Sequence, residues 1–164
     1  MAASTIIKHF TDGSLTIKDG TGTPVTLAIP FTNGDFAISG LNQARRATNV
    51  YEARGVLTGL RLGAKAFPTG SFSCQIADYS DATDHTVLDF LLKQHSYSAN
   101  TSTTTALGNV YTVDIVFTVE GTDLGDSADH TLTLEDCDCS MDLSEGEPNS
   151  ISISFTVYGT VTAT

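Results

Sequence analysis

The sequence is poor in residue types on which several common functions depend. Its 164 residues include no Trp, only 5 Tyr and only 3 Cys. Carbohydrate-binding sites commonly use aromatic platforms, so this composition argues against such a module. An odd number of cysteines in a chain long enough to bury a core predicts reduced thiols rather than a disulfide framework.

Long apolar runs are also missing. The first eight residues, MAASTIIK, lack the basic and continuous apolar regions of a signal peptide, and no apolar run approaches membrane-spanning length. We therefore expect a soluble protein made in the cytoplasm, with no membrane partner. A chain of this length predicts one domain spanning residues 1–164.

Basic residues are scarce and unevenly distributed. Up to Lys65 there are seven basic and four acidic residues, whereas from Ala66 onward Lys93 is the only basic residue against fifteen acidic ones. If folding preserves this division, the basic part of one copy can meet the acidic part of the next and build rings or stacks. The alternative is that the two halves intermingle in space. Nonspecific nucleic-acid binding is disfavoured, because affinity for phosphate comes from clustered Lys and Arg with counterion release.

Alternation of apolar and polar residues predicts a mainly β fold, either a β-sandwich or a partly closed β-barrel, with extended loops. Leu15 and Ile17, a Gly- and Pro-containing turn, and then Val25, Leu27 and Ile29 are typical of a hairpin. Further strands are predicted over residues 36–40, 50–57, 60–66, 71–77, 111–120 and 151–158.

One predicted strand changes phase along its length. Leu132 and Leu134 share one parity, but Cys137, Cys139 and Met141 share the other, which predicts a β-bulge or a strand break near Glu135-Asp136. The polar positions of this strand are then acidic and lie on one face of the sheet, and a neighbouring strand adds further carboxylates. This face must therefore contact water. The residues concerned are Asp136, Asp138 and Asp142, with Asp114 and Glu120.

One flanking α-helix is predicted over about 84–94, beginning at Asp84 and ending at Gln94. Asp81 or Thr83 can cap its N-terminus, and it carries an apolar stripe. The stripe comprises Val87, Leu88, Leu91 and Leu92. His85 and Asp89 are neighbours on such a helix and can pair. Two polar segments, 41–49 and 95–109, predict an exposed loop and a mobile loop or projecting arm.

The sequence offers no convincing reactive site. Cys137 and Cys139 lie in a Cys-x-Cys pattern, but a structural zinc site needs four ligands, and no second pair supplies them. Core-facing thiols are the better interpretation. The acidic segment 123–129 lacks the order of an EF-hand, and no nucleophile elbow, Walker loop or dinucleotide fingerprint occurs. We therefore predict no enzyme activity, no catalytic residue, no metal and no cofactor.

Two segments carry a resemblance to a known family. A strand and polar turn, SFSCQIAD at 71–78, precede the helical TVLDFLL at 86–92, and the late segment EGEPNSISISFTVYG spans 145–159. In this order the elements resemble the major tail tube proteins of long-tailed phages. Related injection-system tubes share this architecture.

The resemblance implies a structural subunit of the virion tail, assembled in the host bacterial cytoplasm into stacked hexameric rings. Its implied partners are further copies of itself, the tape measure protein, the tail terminator, and distal tail or baseplate proteins. DNA passes through the lumen without specific binding. A lumen lined with carboxylates repels phosphate, and the candidate lining residues are Asp114, Glu120, Asp136, Asp138 and Asp142.

The resemblance also makes the two polar segments candidates for ring-to-ring contacts. The residues proposed for these contacts are Gln43, Arg45, Arg46, Asn49, Asn100 and Thr104. Arg45 and Arg46 form the only adjacent basic pair, and reversing their charge should hinder polymerisation more than folding. The rival function is a β-sandwich carbohydrate-binding or adhesin module, and a hydrolase lacks a nucleophile constellation.

Overall fold

The computed structural model describes residues 13–30, 32–41, 46–76, 83, 85–105, 109–121 and 127–164. These residues form a mainly β, sandwich-like fold whose sheets do not close into a barrel. The prediction of a mainly β fold with a flanking helix is therefore confirmed. The strands are β1 (Gly13–Lys18), β2 (Thr26–Ala28), β3 (Ala37–Ser39), β4 (Arg46–Ala53), β5 (Val56–Lys65), β6 (Thr69–Gln75), β7 (Val113–Val119), β8 (His130–Ser144), β9 (Ser150–Val157) and β10 (Val161–Ala163).

Eight of these strands form one antiparallel sheet. Its order is β2-β1-β7-β8-β9-β6-β3, and β10 pairs with β8 beyond the end of β9. The predicted first hairpin is confirmed, because Ile17 of β1 pairs with Leu27 of β2. β4 and β5 form a separate two-stranded sheet.

The predicted bulge lies at Glu135-Asp136, where β8 bends. Val113 pairs with Cys137 but Ile115 pairs with Leu134, so two residues of β8 face one residue of β7. Asp136 has a φ of 55°, and its N–H donates to Asp114 Oδ1 at 3.0 Å. This extra residue lets β8 pair with β7 along one half and with β9 along the other.

The apolar core lies between the two halves of the bent sheet. Both apolar parities of β8 reach it, since Leu134 and Cys137 on either side of the bulge are fully buried. The prediction of core-facing thiols therefore holds for Cys137, whereas Cys139 is half-buried; Cys74 on β6 is buried as well. The other large members are Leu15, Ile17, Phe72, Phe90, Val113, Ile115, Ile151, Ile153, Phe155 and Val157.

The helix α1 is shorter than predicted and spans Val87–Leu92. Its N-terminal cap is Thr86, whose Oγ1 accepts from the N–H of Asp89 at 3.1 Å, and not the predicted Thr83. The other predicted cap, Asp81, lies outside the described residues. The chain leaves the helix at Lys93, whose φ is 54°. The buried positions also differ, because Phe90 is fully buried whereas Leu92 is 49% exposed.

The pairing predicted for His85 and Asp89 is wrong. Asp89 is buried and its Oδ1 lies 2.9 Å from Nδ1 of His95, while the ring of His85 lies against that of Tyr97. His95–Tyr97 forms a single 3-10 turn, which brings His95 back to the helix. No helix in the described part of the chain is long and apolar enough to cross a membrane.

The segment after this turn is not a projecting arm where the structure describes it. The N–H of Gly20 donates to the carbonyl of Thr101, and the N–H of Thr101 donates to Asp19 Oδ2. The N–H of Thr104 donates to Thr112 Oγ1 at 3.0 Å. Hydrogen bonds from backbone amides, and to a side-chain hydroxyl and a carboxylate, therefore hold this polar segment against the sheet. Its polar composition alone does not predict these bonds.

Candidate assembly surfaces

The part of the structure that projects is the hairpin of β4 and β5, residues 46–65, which we call the arm. Its two strands contact each other far more than they contact the rest of the structure. They meet at Arg54-Gly55, where both residues have positive φ (50° and 77°) as in the tight turns that suit hairpins. The predicted loop 41–49 and strand 50–57 are therefore wrong in their bounds, since Arg46 already begins β4 and the turn interrupts the second segment.

One face of the arm is apolar. Val50 pairs with Leu60 and Thr48 with Leu62, so these four side chains lie on the same face, and Leu57 joins them opposite Glu52. The apolar members Val50, Leu57, Leu60 and Leu62 are 55%, 56%, 60% and 68% exposed. The described residues thus leave a continuous apolar face in water on a two-stranded sheet, an element that is marginally stable by itself.

The opposite face of the arm is more polar. It carries Asn49, Tyr51 and Arg61, with the guanidinium of Arg61 5.9 Å from the centre of the Tyr51 ring. Val56, opposite Ala53 beside the turn, also falls on this side and is 66% exposed. The arm is therefore amphipathic across its thickness.

Charge is segregated between the arm and the body, by which we mean all other described residues. The arm has four basic residues and one acidic residue, Glu52. The body has only Lys18 and Lys93 against twelve carboxylates. The uneven charge of the sequence is thus a physical separation in space, with a positive projection on a negative body. The arm's basic residues are Arg46, Arg54, Arg61 and Lys65.

A second apolar surface is a groove in the body with a volume of about 670 Å³. Its lining includes Phe36, Leu41, Phe117 and Leu132, with Ala163 at the end of β10. Phe36 stacks on Phe117 with ring centres 4.6 Å apart, so the floor is continuous with the core. Glu120 and Asp129 adjoin its lining residues Val119 and His130 in the chain and are exposed.

A hydroxyl-rich surface covers the outer face of β8, β9 and β6. Cross-strand rows join Asp138 to Thr156 and Thr69, and Ser140 to Ser154 and Ser71. Asp142 lies on the same face, paired with Ser152. Two of the predicted lumen residues, Asp138 and Asp142, therefore share one polar surface.

The other three predicted lumen residues lie elsewhere. Asp114 and Asp136 meet at the bulge, where burial first and then the neighbouring Asp136 and Glu135 carboxylates raise the pKa of Asp114, against its hydrogen bond from the Asp136 backbone. Glu120 follows the far end of β7, six residues from Asp114, a distance of roughly 20 Å along a strand. The five carboxylates therefore do not form one row.

The six residues predicted for ring-to-ring contacts also lie in different parts of the structure. Gln43 and Arg45 lie outside the described residues. Arg46 and Asn49 lie on the arm, exposed to solvent. Asn100 is buried and its side-chain amide donates to Tyr111 Oη at 3.4 Å, while Thr104 is half-buried and its backbone N–H donates to Thr112 Oγ1.

The thiols show none of the features of a reactive site. Burial raises the pKa of Cys74, Cys137 and Cys139, in the last case to about 12, and nearby carboxylates add to the effect for all three. A raised pKa leaves little nucleophilic thiolate. Among the described residues, no three His, Cys, Asp or Glu side chains are grouped so as to hold a metal ion.

The apolar faces of the arm and the groove were missed by reasoning from sequence. Strands were predicted over residues 50–57 and 60–66, but alternation reports that a face is apolar and not what covers it. The turn at Arg54-Gly55 lacks the Asn-Gly or Asp-Gly signal of a tight hairpin. The available sign of a separate hairpin was that two apolar strands follow each other directly across such a turn.

Three solved structures share this fold. A chain of the sheath/tube terminator of an extracellular contractile injection system (PVC), in its extended state, aligns with a TM-score of 0.59 and 15% identity over 99% of both chains. The tube-terminating cap of the anti-feeding prophage gives 0.55 and 15% over 100% of this chain and 94% of that chain. A chain of the PVC sheath-tube complex in the extended state gives 0.52 and 13%, over 92% and 87%. No family model and no curated protein matches the sequence.

Proposed function

We propose that this chain is a non-enzymatic structural subunit of a phage-tail-like tube, which assembles with copies of itself into stacked rings. The observation that carries the proposal is the arm. Its positive charge is opposite to the charge of the body, and its apolar face is left uncovered by the described residues. The shared fold with tube-associated chains of contractile injection systems supports the same conclusion.

The arm gives a physical reason for self-association. Burying a Leu or Val side chain stabilises by about 1.5–3 kcal/mol, and four such side chains on the apolar face of the arm are more than half exposed. A contact between unlike surfaces of identical copies propagates from copy to copy and closes into a ring or continues as a helix. An arm on one side of each subunit and an acidic body on the other meet this requirement.

The hydroxyl-rich surface is our candidate for the lumen. Its Ser and Thr rows carry Asp138 and Asp142, and it stays hydrated without an apolar patch. In a tube of such subunits, these carboxylates repel phosphate and let DNA pass without binding. The same proposal includes hexameric rings and a single domain over residues 1–164. It also includes a place in a virion tail, with partners such as a tape measure protein, a terminator and baseplate proteins.

Assembly of the purified protein tests the proposal. We expect rings or tubes in negative-stain images, and a concentration-dependent rise in mass by analytical ultracentrifugation. The double variant Leu60→Ser/Leu62→Ser should raise the concentration needed for assembly by at least about tenfold, equivalent to 1.4 kcal/mol. Val56→Ser, an equally exposed apolar residue on the opposite face, is the matched control. A wild-type protein that stays monomeric at every concentration would contradict the proposal.

A second candidate is a terminator, which ends a tube instead of extending it. Two of the similar structures described above are a terminator and a terminating cap, each aligned over 94% or more of its length. A terminator forms one ring and stops, whereas a tube subunit adds ring upon ring. Single rings that cap preformed tubes and never grow would favour the terminator.

A further inference from the structure

We propose that the apolar face of the arm of one copy binds in the groove of the next copy. The arm face comprises Val50, Leu57, Leu60 and Leu62, and the groove is the one between Phe36, Leu41, Phe117 and Leu132. This inference rests on the proposed self-assembly and assigns its contact. It concerns which surfaces meet, so it can fail while the assembly itself is upheld.

The two surfaces complement each other in chemistry. The groove is an apolar surface with room for several aliphatic side chains, and the arm is an extended strip that presents them. At one end of the groove, Glu120 and Asp129 are exposed beside its lining. On the arm, Arg54 forms the tip beside the apolar face, whereas Arg61 lies on the opposite face. An arm seated in the groove with its tip at this end therefore brings opposite charges together beside an apolar centre.

The arm lies outside the groove of its own copy. No residue of the arm is among the described residues that line the groove. Val50, Leu57, Leu60 and Leu62 are all more than half exposed, and the two strands of the arm contact each other far more than they contact the body. A second copy can therefore supply the arm that occupies this groove.

One arm and one groove per copy limit the types of assembly. Each subunit donates once and accepts once, so any open chain leaves one unused arm and one unused groove at its two ends. A two-fold pair that exchanges arms, a larger closed ring and continued growth each satisfy both surfaces, and the proposed stacked rings require one of the last two.

Filling the groove tests the inference without touching the arm. Ala163 lines the groove and is exposed, so Ala163→Trp places a ring there without opening the core. Thr162→Trp, the next residue along β10 and also exposed, is the matched control on the other face. We expect Ala163→Trp to raise the assembly concentration at least about tenfold and Thr162→Trp to change it less than about threefold. Circular dichroism and melting temperature establish that both variants fold.

Cross-linking identifies the two surfaces directly. Leu62→Cys and Leu41→Cys proteins are mixed and oxidised; both positions are exposed, whereas the native thiols lie in the core or half-buried against it. We expect a disulfide-linked dimer of the two variants. Val56→Cys mixed with Leu41→Cys, and Leu62→Cys mixed with Leu143→Cys on β8, should give little product.

The outcomes separate this inference from the proposed function. A wild-type protein that assembles while Ala163→Trp also assembles normally, with no product from Leu62→Cys and Leu41→Cys, overturns the groove contact and leaves tube assembly standing. A disulfide within one chain between Ile7→Cys and Leu41→Cys, formed by monomer, would assign the groove to residues 1–12 of the same copy and also overturn the inference.

Discussion

At the scale of residues, a buried carboxylate organises the helix. Asp89 accepts from Thr86 Oγ1 through Oδ2 and lies 2.9 Å from His95 Nδ1, while its own N–H donates back to Thr86. Thr86 thus caps the helix and satisfies the carboxylate at once. A buried charge of this kind is costly unless its hydrogen bonds are made.

Removing the Thr86 hydroxyl should therefore destabilise the protein. We expect Thr86→Ala to lower the free energy of unfolding by about 1–3 kcal/mol, from the lost cap and the weakened satisfaction of Asp89. Thr86→Ser keeps the hydroxyl and should stay within about 1 kcal/mol of wild type. Urea unfolding followed by circular dichroism measures both, and equal losses in the two variants would contradict the role of the hydroxyl.

Asp114 makes stability depend on pH. Burial raises its pKa above the ordinary value of 3.8, so the folded state holds its proton more tightly than the unfolded state. The stabilising contribution is complete below that ordinary value and is lost as the pH rises through the raised pKa. Asp114→Asn keeps an oxygen that can accept from the Asp136 N–H and removes the charge. We expect it to be more stable than wild type at pH 7, with the advantage disappearing near pH 3.

Urea unfolding of both proteins at pH 3 and pH 7 measures this difference. Asp142→Asn, an exposed carboxylate on the same strand as Asp136, is the control and should show no such trend. An Asp114→Asn protein that is less stable than wild type by the same amount at both pH values would contradict the assignment.

At the scale of elements, the bend in β8 requires a matching bend in its partner. Opposite the bulge, the chain passes from β9 to β10 through residues 158–160, and the Gly159 N–H donates to the Glu135 carbonyl at 3.0 Å. A Cβ on Gly159 would approach both Cβ and the carbonyl oxygen of Glu135 at 2.7 Å. Close approach of the two backbones at this corner therefore needs glycine.

We expect Gly159→Ala to destabilise the fold by about 1–3 kcal/mol, since the added methyl group forces the strands apart. Gly22→Ala is the control, because no atom lies within 4 Å of the added Cβ, and it should change stability by less than about 0.5 kcal/mol. Thermal and urea unfolding compare the two. A Gly159→Ala protein as stable as the control would show that the corner has room to relax.

At the scale of the whole molecule, a positive arm on a negative body predicts that charge reversal on the arm acts on assembly and spares folding. Both arginines are exposed: Arg54 forms the tip of the arm, and Arg61 lies on the face opposite the apolar one. We expect Arg54→Glu/Arg61→Glu to raise the assembly concentration at least about tenfold with little change in melting temperature. Arg54→Lys/Arg61→Lys keeps the charge and should assemble nearly as wild type does. Equal assembly by both variants would assign the contact to apolar packing alone.

The sequence by itself determined the features that depend on neighbouring residues. A period of two marked β1, β6, β7 and β9, and a change of parity marked the bulge at Glu135-Asp136, because side chains of a strand alternate whatever lies around them. The uneven charge was equally visible, since it requires only counting. These properties are local, and folding preserved them.

Only the tertiary structure decided which surfaces are covered. Leu60 and Leu62 alternate like core residues but lie in water, whereas Asn100 looks like a loop residue but is buried. The difference arises because burial depends on segments distant in sequence, such as Asp19 binding Thr101, and not on the pattern of the strand itself. The charge division therefore became a positive arm and a negative body only when β4 and β5 paired with each other and with no other strand of the described structure.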